Sequence, residues 1–164
     1  MFRKLLKNYK CIVNNDERAF INKLEIYNQQ LVLCFINIYK YECPCRRKNI
    51  THELYLNNKQ INMRKAWKIL HNITFKYPKH PTIKIKQLIH FFFNKEVIKI
   101  PCNICRQHYI QYISKKPIEQ VSSIKINLIN WLIDLHNEIN KKNNKIIFNY
   151  KQIYNMYSYT PLKI

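Results

Sequence analysis

Residues 122–142 read SSIKINLINWLIDLHNEINKK, and this stretch decides the fold. Ile124, Leu128, Trp131 and Leu135 recur with the period of one helix face, not the alternation of a strand. At about 100° per residue, His136, Asn137 and Asn140 fall on a separate polar arc. Ser122 or Ser123 can cap the start, because a hydroxyl there accepts from a first-turn N–H that otherwise lacks a partner. The spacing predicts one long helix ending at about Lys142.

The same period recurs on both sides of it. Pro101 suits the first turn of a helix over Cys102 to Ser114, where its missing N–H would have had no partner. Before it, Pro81-Thr82 opens a helix through Phe91, Phe92, Phe93 and Val97, which Ile100-Pro101 breaks. From Asn62 to Phe75, Ala66, Leu70 and Ile73 mark one face and Arg64, Trp67, His71 and Phe75 another, until Tyr77-Pro78 stops the helix. From Glu17 to Tyr39, Leu24, Tyr27, Leu31, Cys34, Phe35 and Ile38 give an amphipathic helix that ends before Cys43-Pro44-Cys45. Asn149 can cap a short last helix through Tyr157. The expected fold class is all-α, with a core of four helices plus a short fifth over 60–157. An N-terminal helical extension occupies 1–59 and a short tail 158–164.

Composition narrows the function. A chain of 164 residues suits one compact domain with an extension. Glycine is absent, which excludes P-loops and dinucleotide fingerprints, since those turns need backbone conformations that only Gly takes cheaply. Lys+Arg outnumber Asp+Glu by 29 to 9, a formal charge of +20. That would ordinarily point to nucleic acid. The chain also holds 27 Ile, 23 Lys and 21 Asn but two Ala, the bias of a very A+T-rich genome, and the lysines lie in every segment. The expectation is a solvated basic surface with no specific nucleic-acid face. The basic start, Met1 to Lys7, lacks the apolar core and cleavage site of a secretory signal, and a mitochondrial presequence is the alternative reading. The longest apolar run, Leu31 to Tyr39, is too short for a bilayer, which needs about 20 residues, so no membrane span is expected.

Six cysteines, Cys11, Cys34, Cys43, Cys45, Cys102 and Cys105, include one CxC and one CxxC. Such close pairs constrain an unfolded chain little and are more often redox or metal devices than staples. Behind Pro101 the CxxC sits in a helix's first turn, where unpaired N–H groups and the dipole favour a thiolate and make the pair exchangeable. A zinc site would recruit His108 or Cys43/Cys45, but zinc knuckles present CxxC from a glycine-bearing turn, and no metal is expected. Cys34 shares the apolar arc of its helix and is expected to be a buried packing thiol.

Trp67-Lys68-Ile69-Leu70-His71, Tyr77-Pro78 with Pro81-Thr82, Ile100-Pro101-Cys102-Asn103-Ile104-Cys105, and Trp131 to Lys142 together resemble the Erv/ALR flavin-linked sulfhydryl oxidases. The patterns W-x-x-L-H, Y-P-x-x-P-T, Y-P-C-x-x-C and W-L-x-x-x-H-N-x-V-N-x-K stand in that family's order over roughly residues 60–157. The resemblance implies a conical four-helix bundle with a short fifth helix, and FAD as cofactor beside the CxxC disulfide. It implies catalytic Cys102 and Cys105, with His136, Asn137, Asn140, Lys142 and Lys145 gripping the adenine and diphosphate. Trp67, His71 and, more loosely, Arg64 would line the flavin pocket, with Tyr157 or Tyr154 laid against the cofactor. On periodicity alone the His136 stripe reads equally as a solvent face, and Trp67 and His71 as a core pair.

The implied reaction is FAD-dependent thiol oxidation. A substrate dithiol reduces a shuttle disulfide, the shuttle attacks Cys102, and Cys105 passes two electrons to FAD and then O2, giving hydrogen peroxide. Cys43/Cys45 is the candidate shuttle, with Cys11/Cys34 as the other choice, in an implied homodimer that oxidises protein dithiols or a thioredoxin-like relay protein. A catalytically inactive helical scaffold of the same fold is the alternative. Cellular members often carry a bridging Cys pair where this chain has Ile133 and Tyr150, and their K-L-G-K turn becomes Lys142-Asn143-Asn144-Lys145. Asn144 can take the left-handed conformation that Gly supplied. These departures resemble the compact oxidases of large DNA viruses, which implies host cytoplasm or virion, with the mitochondrial intermembrane space as the alternative.

Overall fold

A computed structural model describes residues 2–10, 14–42 and 52–158. Among them there is no strand, and the elements are α1 (Phe2–Lys10), α2 (Asn15–Glu42), α3 (His52–Lys76), α4 (Ile83–Phe91), α5 (Asn103–Lys115), α6 (Lys125–Lys142) and α7 (Tyr150–Ser158). The chain is all-α, as expected, and α1 and α2 pack into the same apolar core as α3 to α6. No described helix is long and apolar enough to cross a membrane.

Three starts differ from the sequence reading. The basic first residues form a helix, α1, because Phe2 and Leu6 bury themselves against α4, with the Phe2 ring stacked on Phe91 at 5.7 Å. Burial on that scale contributes about 1.5–3 kcal/mol per side chain, enough to outweigh the crowding of like charges. α3 begins ten residues before Asn62, and its polar opening turns stay helical while α3 packs along α2. The expected cap of α6, Ser122, is fully buried and does other work. Its Oγ lies 2.6 Å from His90 Nε2, and its carbonyl accepts from the Tyr77 hydroxyl at 3.0 Å. α6 therefore starts at Lys125 behind Ile124, without a side-chain cap.

The caps that do form set the angles of the bundle. Thr82 caps α4, accepting from Ile85 N–H, while its own N–H donates to the buried Glu17 carboxylate at 3.0 Å, tying α4 to the start of α2. Past Phe91 the helix widens into a π turn over Phe92–Glu96 and tightens into a 3₁₀ turn over Val97–Lys99. The buried Tyr109 hydroxyl on α5 donates to Phe93 O at 2.9 Å, docking α5 on that turn. At the other end of α5, Trp131 Nε1 donates to Lys116 O at 2.8 Å and the Tyr112 hydroxyl to Trp131 O at 3.1 Å. α5 is thus anchored at its middle and at its C-terminal end.

One apolar core runs through α1 to α6, and Cys34, 6% exposed, packs in it as expected. A second, smaller one joins Ile129 and Ile133 of α6 to Ile153 of α7.

Candidate functional site

Cys102 is the N-cap of α5. Its Sγ is bonded to Cys105 Sγ, with the two Cα atoms 5.2 Å apart, and accepts from Cys105 N–H at 3.3 Å. The disulfide stands at the positive end of the helix dipole, so a thiolate released there is stabilised by the first-turn N–H groups. Cys102 is 7% exposed and Cys105 is half-buried. Arg106, next to Cys105, is held by Asn103 Oδ1.

The second element is a nest of flat rings. Trp67 of α3 stacks face to face on His136 of α6, centroids 3.9 Å apart and planes within 5°. His71, one turn after Trp67, places Nε2 3.1 Å from His136 Nδ1. Tyr157 of α7 closes over His71 at 5.0 Å and over Phe75 at 5.5 Å. Tyr154 meets Phe75 edge to face at 5.4 Å and donates to Asn130 Oδ1. Phe148 rests on His136 at 5.6 Å.

Both imidazoles are neutral at ordinary pH. Burial, then the neighbouring His136, lowers His71 to about 3. Burial, then the Lys145 ammonium, lowers His136 to about 4. His71 Nδ1 is buried without a hydrogen-bond partner among the described residues. A buried polar nitrogen left in that state costs about 1–3 kcal/mol.

Asn137 and Asn140, expected to reach a cofactor, are engaged by the following loop. Asn137 clasps Phe148, Nδ2 donating to its carbonyl at 2.8 Å and Oδ1 accepting from its N–H at 3.0 Å. Asn140 Nδ2 donates to Ile146 O at 3.0 Å. The turn between them has Asn144 at φ 51°, the left-handed residue expected there. Asn149 and Gln152 then cap α7 reciprocally, Asn149 Oδ1 accepting from Gln152 N–H at 2.8 Å. These bonds place Phe148, Tyr154 and Tyr157 on the α3–α6 face. Lys142 and Lys145 are exposed, Lys145 near enough to act on His136, and Arg64 is exposed on α3.

The model of the Erv1/Alr family matches residues 64–158. The chain belongs to the Erv1/Alr family. A probable FAD-linked sulfhydryl oxidase of Acanthamoeba polyphaga mimivirus is 33% identical over 88 residues, 53% of this chain and 62% of the relative. An FAD-linked sulfhydryl oxidase of African swine fever virus is 30% identical over 100 residues, 60% of this chain and 82% of the relative. The mitochondrial FAD-linked sulfhydryl oxidase ERV1 of Saccharomyces cerevisiae is 34% identical over 79 residues, 48% of this chain and 41% of the relative. The chain spans 62% of the length of each of the first two curated relatives. No solved structure matches it.

Within this Erv1/Alr chain, the positions of the absent bridging Cys pair are filled by other contacts. Ile133 is buried against Ile153, and the Tyr150 hydroxyl donates to Asp134. Sequence reasoning missed Phe75 and Phe148 as site residues. Phe75 shares the face of Trp67 and His71 and was findable from that spacing. Phe148 had no such signal, because a loop residue has no period. The shuttle candidates Cys43 and Cys45, and Cys11, lie outside the described residues.

Proposed function

We propose that the chain is an FAD-linked thiol oxidase, and the observation that carries the reading is the Cys102–Cys105 disulfide capping α5 in an Erv1/Alr chain. The fit to FAD rests on the unpartnered His71 Nδ1 and on the rings around it. A flat heterocycle suits Trp67, His71, His136 and Tyr157, the orphaned nitrogen offers it a hydrogen bond, and the exposed Lys142 and Lys145 supply charge for a diphosphate in a protein without glycine loops. Bound there, FAD would supply the redox chemistry, as acceptor of two electrons from the reduced cysteine pair and donor of them to O2, with hydrogen peroxide as product.

The residues of the chain do the rest. A substrate thiolate bonds to Cys102 Sγ as the Cys102–Cys105 bond breaks, and Cys105 leaves as a thiolate held by the helix N-terminus. The second substrate thiol, deprotonated, displaces Cys102. The substrate departs with a disulfide, and the protein holds two reduced cysteines. Asn137 and Asn140 act as positioning residues that fix the loop carrying Phe148. The substrates are protein dithiols or a thioredoxin-like relay protein, Cys43/Cys45 is the shuttle pair, and the working form is a homodimer. The relatives in large DNA viruses favour host cytoplasm or virion as the setting.

Purified full chain should be yellow, keep its flavin spectrum through gel filtration, and consume O2 with dithiothreitol while forming one hydrogen peroxide per disulfide. Colourless protein that takes up no flavin and no oxygen would overturn the reading.

A further inference from the structure

α5 opens with a positive charge at the end where a helix tolerates one least. The unpaired N–H groups of the first turn already make that end positive, so an acid is welcome there and a cation is not. α5 has no acid in its first turn, and residues 97–118 hold none at all. Arg106 nonetheless closes that turn. Its main-chain N–H donates to Cys102 O at 2.9 Å, which makes it the i+4 neighbour of Cys102 on one helix face. Its guanidinium donates to Asn103 Oδ1. That bond folds the side chain back toward the N-terminal end, where the two sulfurs stand. Arg106 is half-buried, whereas Lys99, Lys115 and Lys116 of the same acid-free stretch are exposed. No acid among the described residues pairs with it.

We propose that Asn103 holds Arg106 as the counter-charge for the thiolate released when the Cys102–Cys105 bond opens. The identity of residue 103 supports this. An aspartate there would suit the helix dipole and would pair with Arg106, but it would cancel the charge. An amide orients the guanidinium and leaves its charge uncancelled until the reaction supplies an anion. When a substrate thiolate bonds to Cys102 Sγ, the electron pair of the broken Cys102–Cys105 bond stays on Cys105 Sγ, next in the chain to Arg106. Asn103 is thus a positioning residue that acts through Arg106.

The other charged groups around α5 do not duplicate this one. Glu96, the acid nearest in sequence, binds Lys99 through both carboxylate oxygens at 2.8 Å. His108 lies two residues further along α5. Asp134 and Glu138 of α6 act on Tyr112, toward the far end of the helix. The inference rests on the thiol-oxidase reading above and deepens it at the cysteine pair.

Iodoacetamide alkylation of the reduced full chain under argon, read by mass spectrometry on the peptide bearing residues 102–105, tests it without flavin turnover. The thiolate fraction sets the rate at about pH 6, and nearly every thiol is ionised at about pH 9.5. Arg106→Gln should react about threefold or more slower than the parent at the lower pH and no slower at the higher. Arg106→Lys, which keeps the charge, should recover most of the lost rate. Asn103→Asp decides between this role and a merely structural one. It should melt no lower than the parent, because an acid suits the helix start, yet be slowed at about pH 6 as Arg106→Gln is. Equal low-pH rates in the parent and Arg106→Gln overturn the inference, as does a parent-like profile in Asn103→Asp. A shifted profile in a protein that takes up no oxygen would sink the proposed function and leave this pair standing, and oxygen uptake with an unshifted profile would do the reverse.

Discussion

Cys102 and Cys105 are brought together by a single helical turn, whereas the rings of the second site come from α3, α6, α7 and the loop between the last two, spread from residue 67 to residue 157. The disulfide is local and closes too small a loop to constrain the unfolded chain much. The ring nest exists only when four segments are folded at once. Chemistry and fold stability should therefore separate cleanly at the first site and move together at the second.

The sharpest test of that division is at the disulfide. Cys102→Ser or Cys105→Ser should lower dithiothreitol-driven oxygen uptake about 100-fold or more while moving the melting temperature by only a few degrees. A variant that kept a tenth of the parent's rate would break the assignment. Removing the apolar tie of α7 should do the reverse. Ile153→Ala, at 3% exposure against Ile129 and Ile133, should cost about 2–4 kcal/mol in denaturant unfolding and release flavin without touching the cysteines. Intact flavin occupancy after that loss would show the two sites to be less different than the geometry says.

Acid separates the sites further. In the unfolded chain His71 and His136 take a proton near pH 6.5, but in the folded one they refuse it until about 3 and about 4. Above pH 6.5 both states bind the same protons and the pair contributes nothing to pH dependence. Below it the unfolded state binds more, so the melting temperature should fall steadily toward pH 4, and His136→Gln should flatten the slope. The same slope in parent and variant would remove the pair as its cause. Smaller effects belong to the loop. Asn137→Ala should cost about 1–2 kcal/mol by unpairing the Phe148 main chain, read in thermal unfolding. Asn144→Gly, which relieves a side chain at positive φ, should stabilise by less than about 1 kcal/mol.

The same contrast explains what the sequence could and could not tell. The period of Ile124, Leu128, Trp131 and Leu135 gave α6, and the spacing of Trp67, His71 and Phe75 put three ring-nest residues on one face, because both are properties of a single helix. Ser122 read as a cap because its hydroxyl stands just before a periodic run, but its actual partners, His90 and Tyr77, come from other elements that no local pattern names. Asn137 and Asn140 read as cofactor ligands only through the family resemblance, since their polar stripe by itself reads equally as a solvent face. Side-chain amides on a polar stripe look alike whether they face a cofactor or a loop six to eleven residues on. The opening turns of α3 were hidden by their polarity, since packing against α2 decided them.

The contact between His71 Nε2 and His136 Nδ1 couples two tautomers. Each neutral imidazole carries one proton, and one proton must lie between the rings. When His71 holds it, His71 Nδ1 is a bare acceptor and His136 Nε2 carries hydrogen. When His136 holds it, His71 Nδ1 carries hydrogen and His136 Nε2 is bare. The outer edges of the pair therefore always show opposite polarity, one donor and one acceptor, and they exchange roles together. Whatever meets the orphaned nitrogen of His71 sets, through one shared proton, what the far edge of His136 presents in turn.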